Sequence, residues 1–278
     1  MRLAVIPRRK GRGFVLIAVL WMGLALLTAV AAQLSTGRGE ALTLRAEQEG
    51  ARATLLARSG LNLALAALSA APGSGLPEVR RDGAPWTVAM AEGTVTLRIE
   101  DEAGKIDVNA APQSLIRGAL AQLEIAGADA FELSNVAQAI ASWPDAAGPV
   151  PSLEALVMRG DLPPAVARRA SGVLTVHNRT PRMDPTSAPP GVLAALPGLG
   201  PSDVEAILAG RDAGTESPAL GAARQWLAPR RGPVFRLRAT ARLATGTTAE
   251  LTTLVGERGL SFRDSLMVYE IMRVEVVQ

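Results

Sequence analysis

The chain has 278 residues, 48% of them hydrophobic and only 3% aromatic, which is enough apolar material for a buried core and excludes wholesale disorder. It contains no cysteine, which excludes disulfides, thiolate metal sites, iron–sulfur clusters and cysteine nucleophiles, and its one histidine, His177, leaves no basis for a His-rich zinc site. The net charge of +3 would suggest nucleic acid, but five of the 29 basic residues (Arg2, Arg8, Arg9, Lys10 and Arg12) stand in the first 13 positions, and without them the acids outnumber the bases.

Residues 14–37 carry no charge, and residues 14–32 (FVLIAVLWMGLALLTAVAA) form an apolar run of 19. As a helix this run would be roughly 28 Å long, close to the hydrocarbon thickness of a bilayer. The basic cluster before it places the N-terminus in the cytoplasm and the body on the other side of the membrane. Trp21 lies inside the run, as apolar bulk or as a contact for partner helices. A cleavable signal peptide is the alternative, since Ala29-Val30-Ala31 has the small-x-small form of a cleavage site. Against it stand the length of the run and the abrupt Arg12-Gly13-Phe14 boundary.

That boundary resembles the leader of the type IV pilin superfamily, in which a short basic segment ends in glycine. The resemblance implies that a prepilin peptidase cuts after Gly13 and methylates Phe14. Most pilins carry a glutamate at the fifth mature position, where this chain has Ala18. That acid neutralises the terminal amine of a neighbouring subunit in an apolar bundle. A subunit with no neighbour above it can dispense with it.

Residues 35–71 continue as a helix: Leu61, Leu65 and Leu68 recur at helical spacing, Gly50 and Gly60 interrupt, and Pro72-Gly73-Ser74-Gly75 ends it. Residues 86–108 read as β structure, with Val95, Leu97 and Ile99 alternating with Thr94, Thr96 and Arg98, and a turn at 91–93. The acids Glu100, Asp101 and Glu102 read as solvated groups at a strand end. A helical block follows, with candidates at 113–123, 130–142, 152–158, 164–174, 190–196 and 202–210. The stretches DVNAAP at 107–112 and DPTSAP at 184–189 echo each other. Each precedes an apolar helix start, with Asn109 or Thr186/Ser187 as cap and a proline in the first turn. His177-Asn178 reads as a loop pair. The stretch LPGLG at 196–200, followed by a helix, resembles a helix–hairpin–helix, which in DNA-binding versions grips a phosphate with exposed amides. Between 184 and 212, however, Arg211 is the only base against four acids, which argues for structural use. Three strands close the chain: 235–243, 251–255 and 266–277. There is no Walker A sequence, dinucleotide fingerprint or nucleophile elbow.

The ordered set of DEAGKIDVN at 101–109, AIASWPD at 139–145 and TSAPPGVLAALPG at 186–198, behind a pilin-like N-terminus, resembles the type II secretion minor pseudopilin K family (general secretion pathway protein K). The resemblance implies an α+β fold: a type IV pilin-like long N-terminal helix and an antiparallel sheet, with a large helical (SAM-like or helix–hairpin–helix) insertion in the head. It implies a leader at 1–13, a transmembrane helix at 14–36 and a periplasmic helix at 37–72. The sheet would then occupy 73–110 and 233–278, with the insertion at 111–232. It also implies a tip subunit of the pseudopilus in the bacterial inner membrane that starts pseudopilus assembly and supports export of folded periplasmic proteins. The implied partners are minor pseudopilins I and J, the major pseudopilin and the prepilin peptidase. No catalysis, nucleic acid or cofactor is implied. Relatives carry a longer acidic loop associated with calcium after the tryptophan segment. Here 145–151 is short and keeps one acid, Asp145, with Asp161 and Asp212 as the other oxygen donors considered. The competing functions are a membrane-tethered DNA-binding protein using the hairpin and a secreted hydrolase behind a signal peptide.

Overall fold

The structure is a computed structural model that describes residues 12–70, 75, 79–123, 130–221, 223–257 and 266–277; for residues 12–13, 31–41, 130–132, 144–147, 257 and 266–277 the backbone alone is described. The leader residues 1–11 and the helix stop at 71–74 fall outside the described residues.

Helix α1 (Arg12–Leu68) is continuous over 57 residues, roughly 85 Å. Its second half buries Ala53, Leu56, Ala57, Leu61, Ala64 and Leu68 on one face, the i, i+3, i+4 stripe that a half-buried helix requires. Gly60 does not weaken this helix. A Cβ there would lie 2.5 Å from Val95 Cγ1, so the glycine lets the helix seat directly on the sheet. Over residues 14–30 the side chains are exposed, with Phe14 at 79%. Among the described residues no helix is long and apolar enough to cross a membrane. The expected span at 14–36 runs into residues 31–41, whose side chains are outside the description.

The sheet has five antiparallel strands in the order β1-β2-β5-β6-β7: β1 (Trp86–Met90), β2 (Gly93–Asp101), β5 (Val234–Leu243), β6 (Thr248–Glu257) and β7 (Leu266–Val277). Its alternation is the predicted one. Val95, Leu97 and Ile99 face α1 beside Phe235, Leu237, Ala239, Ala241 and Leu243, in one apolar core with the helix stripe. Each such large apolar side chain contributes about 1.5–3 kcal/mol by leaving water. The predicted strand over 86–108 is broken, however. After Asp101 the chain makes a 3-10 turn at Glu102–Gly104, and β3 (Ile106–Asp107) pairs in parallel with β4 (Leu174–Thr175), away from the main sheet.

Between β2 and β5 lies the helical block: α2 (Gln113–Ala121), α3 (Ala130–Ala147), α4 (Leu153–Arg159), α5 (Pro164–Ala170), α6 (Pro190–Ala194) and α7 (Pro201–Ala213). Helix α5 ends at Ala170 rather than continuing to 174, because Leu174 is taken by β4. The tryptophan segment is helical to Ala147, so Asp145 stands in the last turn of α3 and not in a loop. The block has its own apolar core, which includes Ile106, Leu115, Ile140, Trp143, Leu156, Val192 and Leu196 and is separate from the core under the sheet.

Because β2 and β5 are adjacent and antiparallel, with Asp101 opposite Phe235, the whole block hangs from what would otherwise be a hairpin loop.

Candidate functional site

The exit from β2 and the return into β5 meet in a buried ionic junction. Lys105 is 0% exposed, and its ammonium reaches Glu102 Oε1 at 2.7 Å, Glu100 Oε2 at 2.7 Å and the Ser171 carbonyl at 2.9 Å. Those three acceptors match its three donors. Glu102 also accepts from Arg236 Nε at 2.9 Å, which ties the turn to β5. Burial alone would raise the Glu102 carboxyl, but the charges of Lys105 and Arg236 override it and bring it down to about 2. Glu100 is lowered in the same way: burial opposes, and Lys105 prevails. These acids are therefore not the solvated strand-end group that the sequence predicts. Asp101 accepts from the Ala103 amide at 2.8 Å and the Gly232 amide at 3.0 Å. Gly232 has no room for a side chain, since a Cβ would meet Asp101 Oδ1 at 2.3 Å.

Asn178 is the residue that sequence reasoning missed. It is buried, and its amide donates to the Lys105 and Arg182 carbonyls at 3.0 Å, while Arg230 Nη2 donates to its Oδ1 at 2.6 Å. Nothing in a His-Asn dipeptide that follows a short apolar run signals this clamp. Beside it His177 is half-buried, and burial lowers its pKa.

The sequence echo is a structural one, by a different device. Asn109 and Thr186/Ser187 do not cap the helices. The N-cap residues are Pro112 and Pro189, with no side-chain cap. Instead the aspartate turns the chain upstream. Asp107 Oδ1 accepts from the Asn109 amide at 2.8 Å and Asp184 Oδ1 from the Thr186 amide at 3.1 Å. In each copy the aspartate carbonyl accepts from the alanine four residues on, at 2.8 Å and 2.9 Å. This is an Asx turn leading into a proline start. Asn109 bridges the Val150 backbone through both its amide atoms.

In the hairpin, the Gly200 amide donates to Asp203 Oδ2 at 2.8 Å, so one of the amides that could grip a phosphate is already taken. Arg211 turns inward onto the carbonyls of Pro185 at 2.6 Å and Ala188 at 2.8 Å. Gly13 and Phe14 stand in the first turn of α1, and Ala18 is exposed one turn further on. The side chain of Asp145 is outside the description. Asp161 pairs with Arg159, and Asp212 with Arg80 at 2.7 Å. Among the described residues no group of three or more histidines and acids is placed to hold a metal ion.

No protein-family model and no curated protein sequence matches the chain. Its fold is nevertheless present among solved structures. The chain is similar to a chain of the crystal structure of the GspK–GspI–GspJ complex from the Type 2 Secretion System of enterotoxigenic Escherichia coli, with a TM-score of 0.50 and 13% identity, covering 84% of this chain and 99% of that one. The likeness is one of fold. It meets the sequence resemblance at the same complex.

Proposed function

We propose that the chain is the K-type minor pseudopilin at the tip of a type II secretion pseudopilus, where it joins minor pseudopilins I and J, initiates pseudopilus assembly and supports export of folded proteins. The observation that carries this reading is the fold match over 84% of the chain to a structure of the GspK–GspI–GspJ complex. The leader ending at Gly13, the apolar run anchored in the inner membrane and the alanine at position 18 agree with it. The helical block, read as a SAM-like insertion, gives the subunit its function by bulk: a head of this size on top of the sheet blocks the stacking of another subunit above it. On this reading the chain performs no catalysis, needs no cofactor and binds no nucleic acid; the occupied Gly200 amide and the inward Arg211 support the last point.

The test is co-expression of the full chain with its own system's I and J subunits and prepilin peptidase, followed by detergent extraction. The expected result is a co-purifying three-subunit complex in which this chain begins at N-methylated Phe14 by mass spectrometry. Absence of the complex, or a mature start near Ala32, overturns the proposal.

A further inference from the structure

The junction has an outer face that the assembly reading leaves unused. A cleft of about 820 Å³ opens between the start of α4, the β4 loop and the return into β5. Val234 and Leu254 give its sheet face apolar surface on either side of Arg236, and Arg179, Arg230 and Arg231 line it further, against a single acid, Glu154. In a body whose acids otherwise outnumber its bases, this is a concentrated patch of positive charge. Not all of that charge is available. Arg236 is committed to Glu102, and Arg230 holds Asn178 with Nη2. The buried Nε of Arg230 has no partner. Arg179 extends an exposed guanidinium that makes no hydrogen bond or ion pair with the described residues.

Arg179 is also the one non-glycine residue with positive φ, +58°, among the described residues. Asparagine or glycine would hold that conformation at lower cost. Its backbone amide is fixed on Asp107 Oδ2 at 2.6 Å, so the strained turn is clamped and aims a cation over the cleft. Strain of this kind, kept at an arginine on a cleft wall, points to use of the side chain.

We propose that this cleft binds an acidic peptide segment of a partner subunit, with a carboxylate paired to Arg179 and neighbouring apolar side chains on Val234 and Leu254. Two features favour a peptide over other anions. The apolar surface offers nothing to inorganic phosphate. The cleft also lies at the start of β5, whereas the other end of that strand turns at Thr247, which is bonded to Glu49 of α1. The strand spans roughly 30 Å, so the cleft faces away from the apolar end of α1 and from any lipid surface there. The inference rests on the assembly reading only for the identity of the partner.

The test uses the purified full chain in neutral detergent and a labelled, end-blocked peptide alternating leucine and glutamate, read by fluorescence anisotropy. The glutamine counterpart of the peptide, Arg179→Asn, Arg58→Asn and inorganic phosphate serve as comparisons. The asparagine variant suits the left-handed backbone, and an unchanged circular dichroism spectrum shows that its fold is kept. The expected result is saturable binding, weakened about tenfold or more by Arg179→Asn and by the glutamine peptide, and unchanged by Arg58→Asn on the exposed face of α1. Equal binding of the two peptides, equal loss from both variants, or a site that phosphate fills as tightly as the peptide overturns the proposal. No partner subunit is present in this assay. Its failure therefore leaves the three-subunit complex untouched, and failure of that complex leaves the cleft's preference measurable.

Discussion

The Asp101 carboxylate accepts a hydrogen bond from the Gly232 amide at 3.0 Å across 131 positions of sequence, and so ties the point where the chain leaves the sheet to the point where it returns. The second carboxylate oxygen holds the Ala103 amide, and Asp101 faces Phe235 in the strand register. One buried side chain thus closes the neck of the whole helical block.

Gly232→Ala places a methyl group on that carboxylate. Overpacking costs about 1–3 kcal/mol, and disturbing a charged buried hydrogen bond a similar amount. The expected loss is about 3 kcal/mol in chemical denaturation of the full chain. Gly221→Ala, where no described atom lies within 4 Å, should stay within about 0.5 kcal/mol.

Lys105→Met leaves Glu102 and Glu100 without their shared cation in a buried site. Breaking one side of such a pair costs about 3–5 kcal/mol. The double variant with Glu102→Gln should recover part of that loss, because the fully buried carboxylate is gone and the one that remains, Glu100, keeps 18% of its side chain exposed. Additive losses in the double-mutant cycle would show that the two residues act independently.

Acid should weaken the fold, and the sign follows from the direction of each shift. Glu102 is lowered from 4.5 to about 2, so the unfolded chain takes up its proton first as pH falls. The stabilisation, on the order of 3 kcal/mol, is complete above about pH 5 and is lost toward pH 2. Glu100 has the same sign, and so does His177, whose loss begins below about 6.5. Asp101 opposes them, since burial raises it. Denaturation midpoints at pH 7, 5 and 3 should fall in that order, and the fall between the last two should be shallower in Lys105→Met.

Replacing residues 102–234 by a two-residue turn should leave α1 and the sheet folded, because Asp101 and Phe235 are already partners in register. Arg236→Thr should accompany the deletion, since its partner Glu102 is removed with the block. A cooperative thermal transition with strand-rich circular dichroism is the expected outcome. A chain without such a transition would show that the sheet depends on the block.

Ala18→Glu tests the position where pilins carry an acid. The site is exposed in this chain, so the variant should match the parent in melting temperature within about 2 °C in detergent.

Much of the fold was legible because period reports burial. The alternation at Val95, Leu97 and Ile99 and at residues 235–243 gave the central strand pair and its inner face, and the spacing of Leu61, Leu65 and Leu68 gave the helix, with Leu61 and Leu68 in its buried stripe and Leu65 at the edge of it. The junction was not legible. Period says which side a residue faces but not what comes across to meet it: beside its near neighbour Glu102, Lys105 meets Ser171 and, through Glu102, Arg236 from two distant segments. Two-residue strands such as β3 and β4 are too short to show a period at all, which is why Leu174 read as the end of a helix. The Asp107 and Asp184 echo was visible, but its mechanism was misjudged, since a side-chain cap and an Asx turn use the same residue types.

The double neck has a mechanical consequence. A domain carried on one strand of chain would swing on a hinge, whereas this one is held by two neighbouring strands riveted together at Asp101–Gly232 and at Glu102–Arg236. A displacement of α1 and its sheet would therefore carry the helical block along with it, with no single-strand hinge to take up the motion.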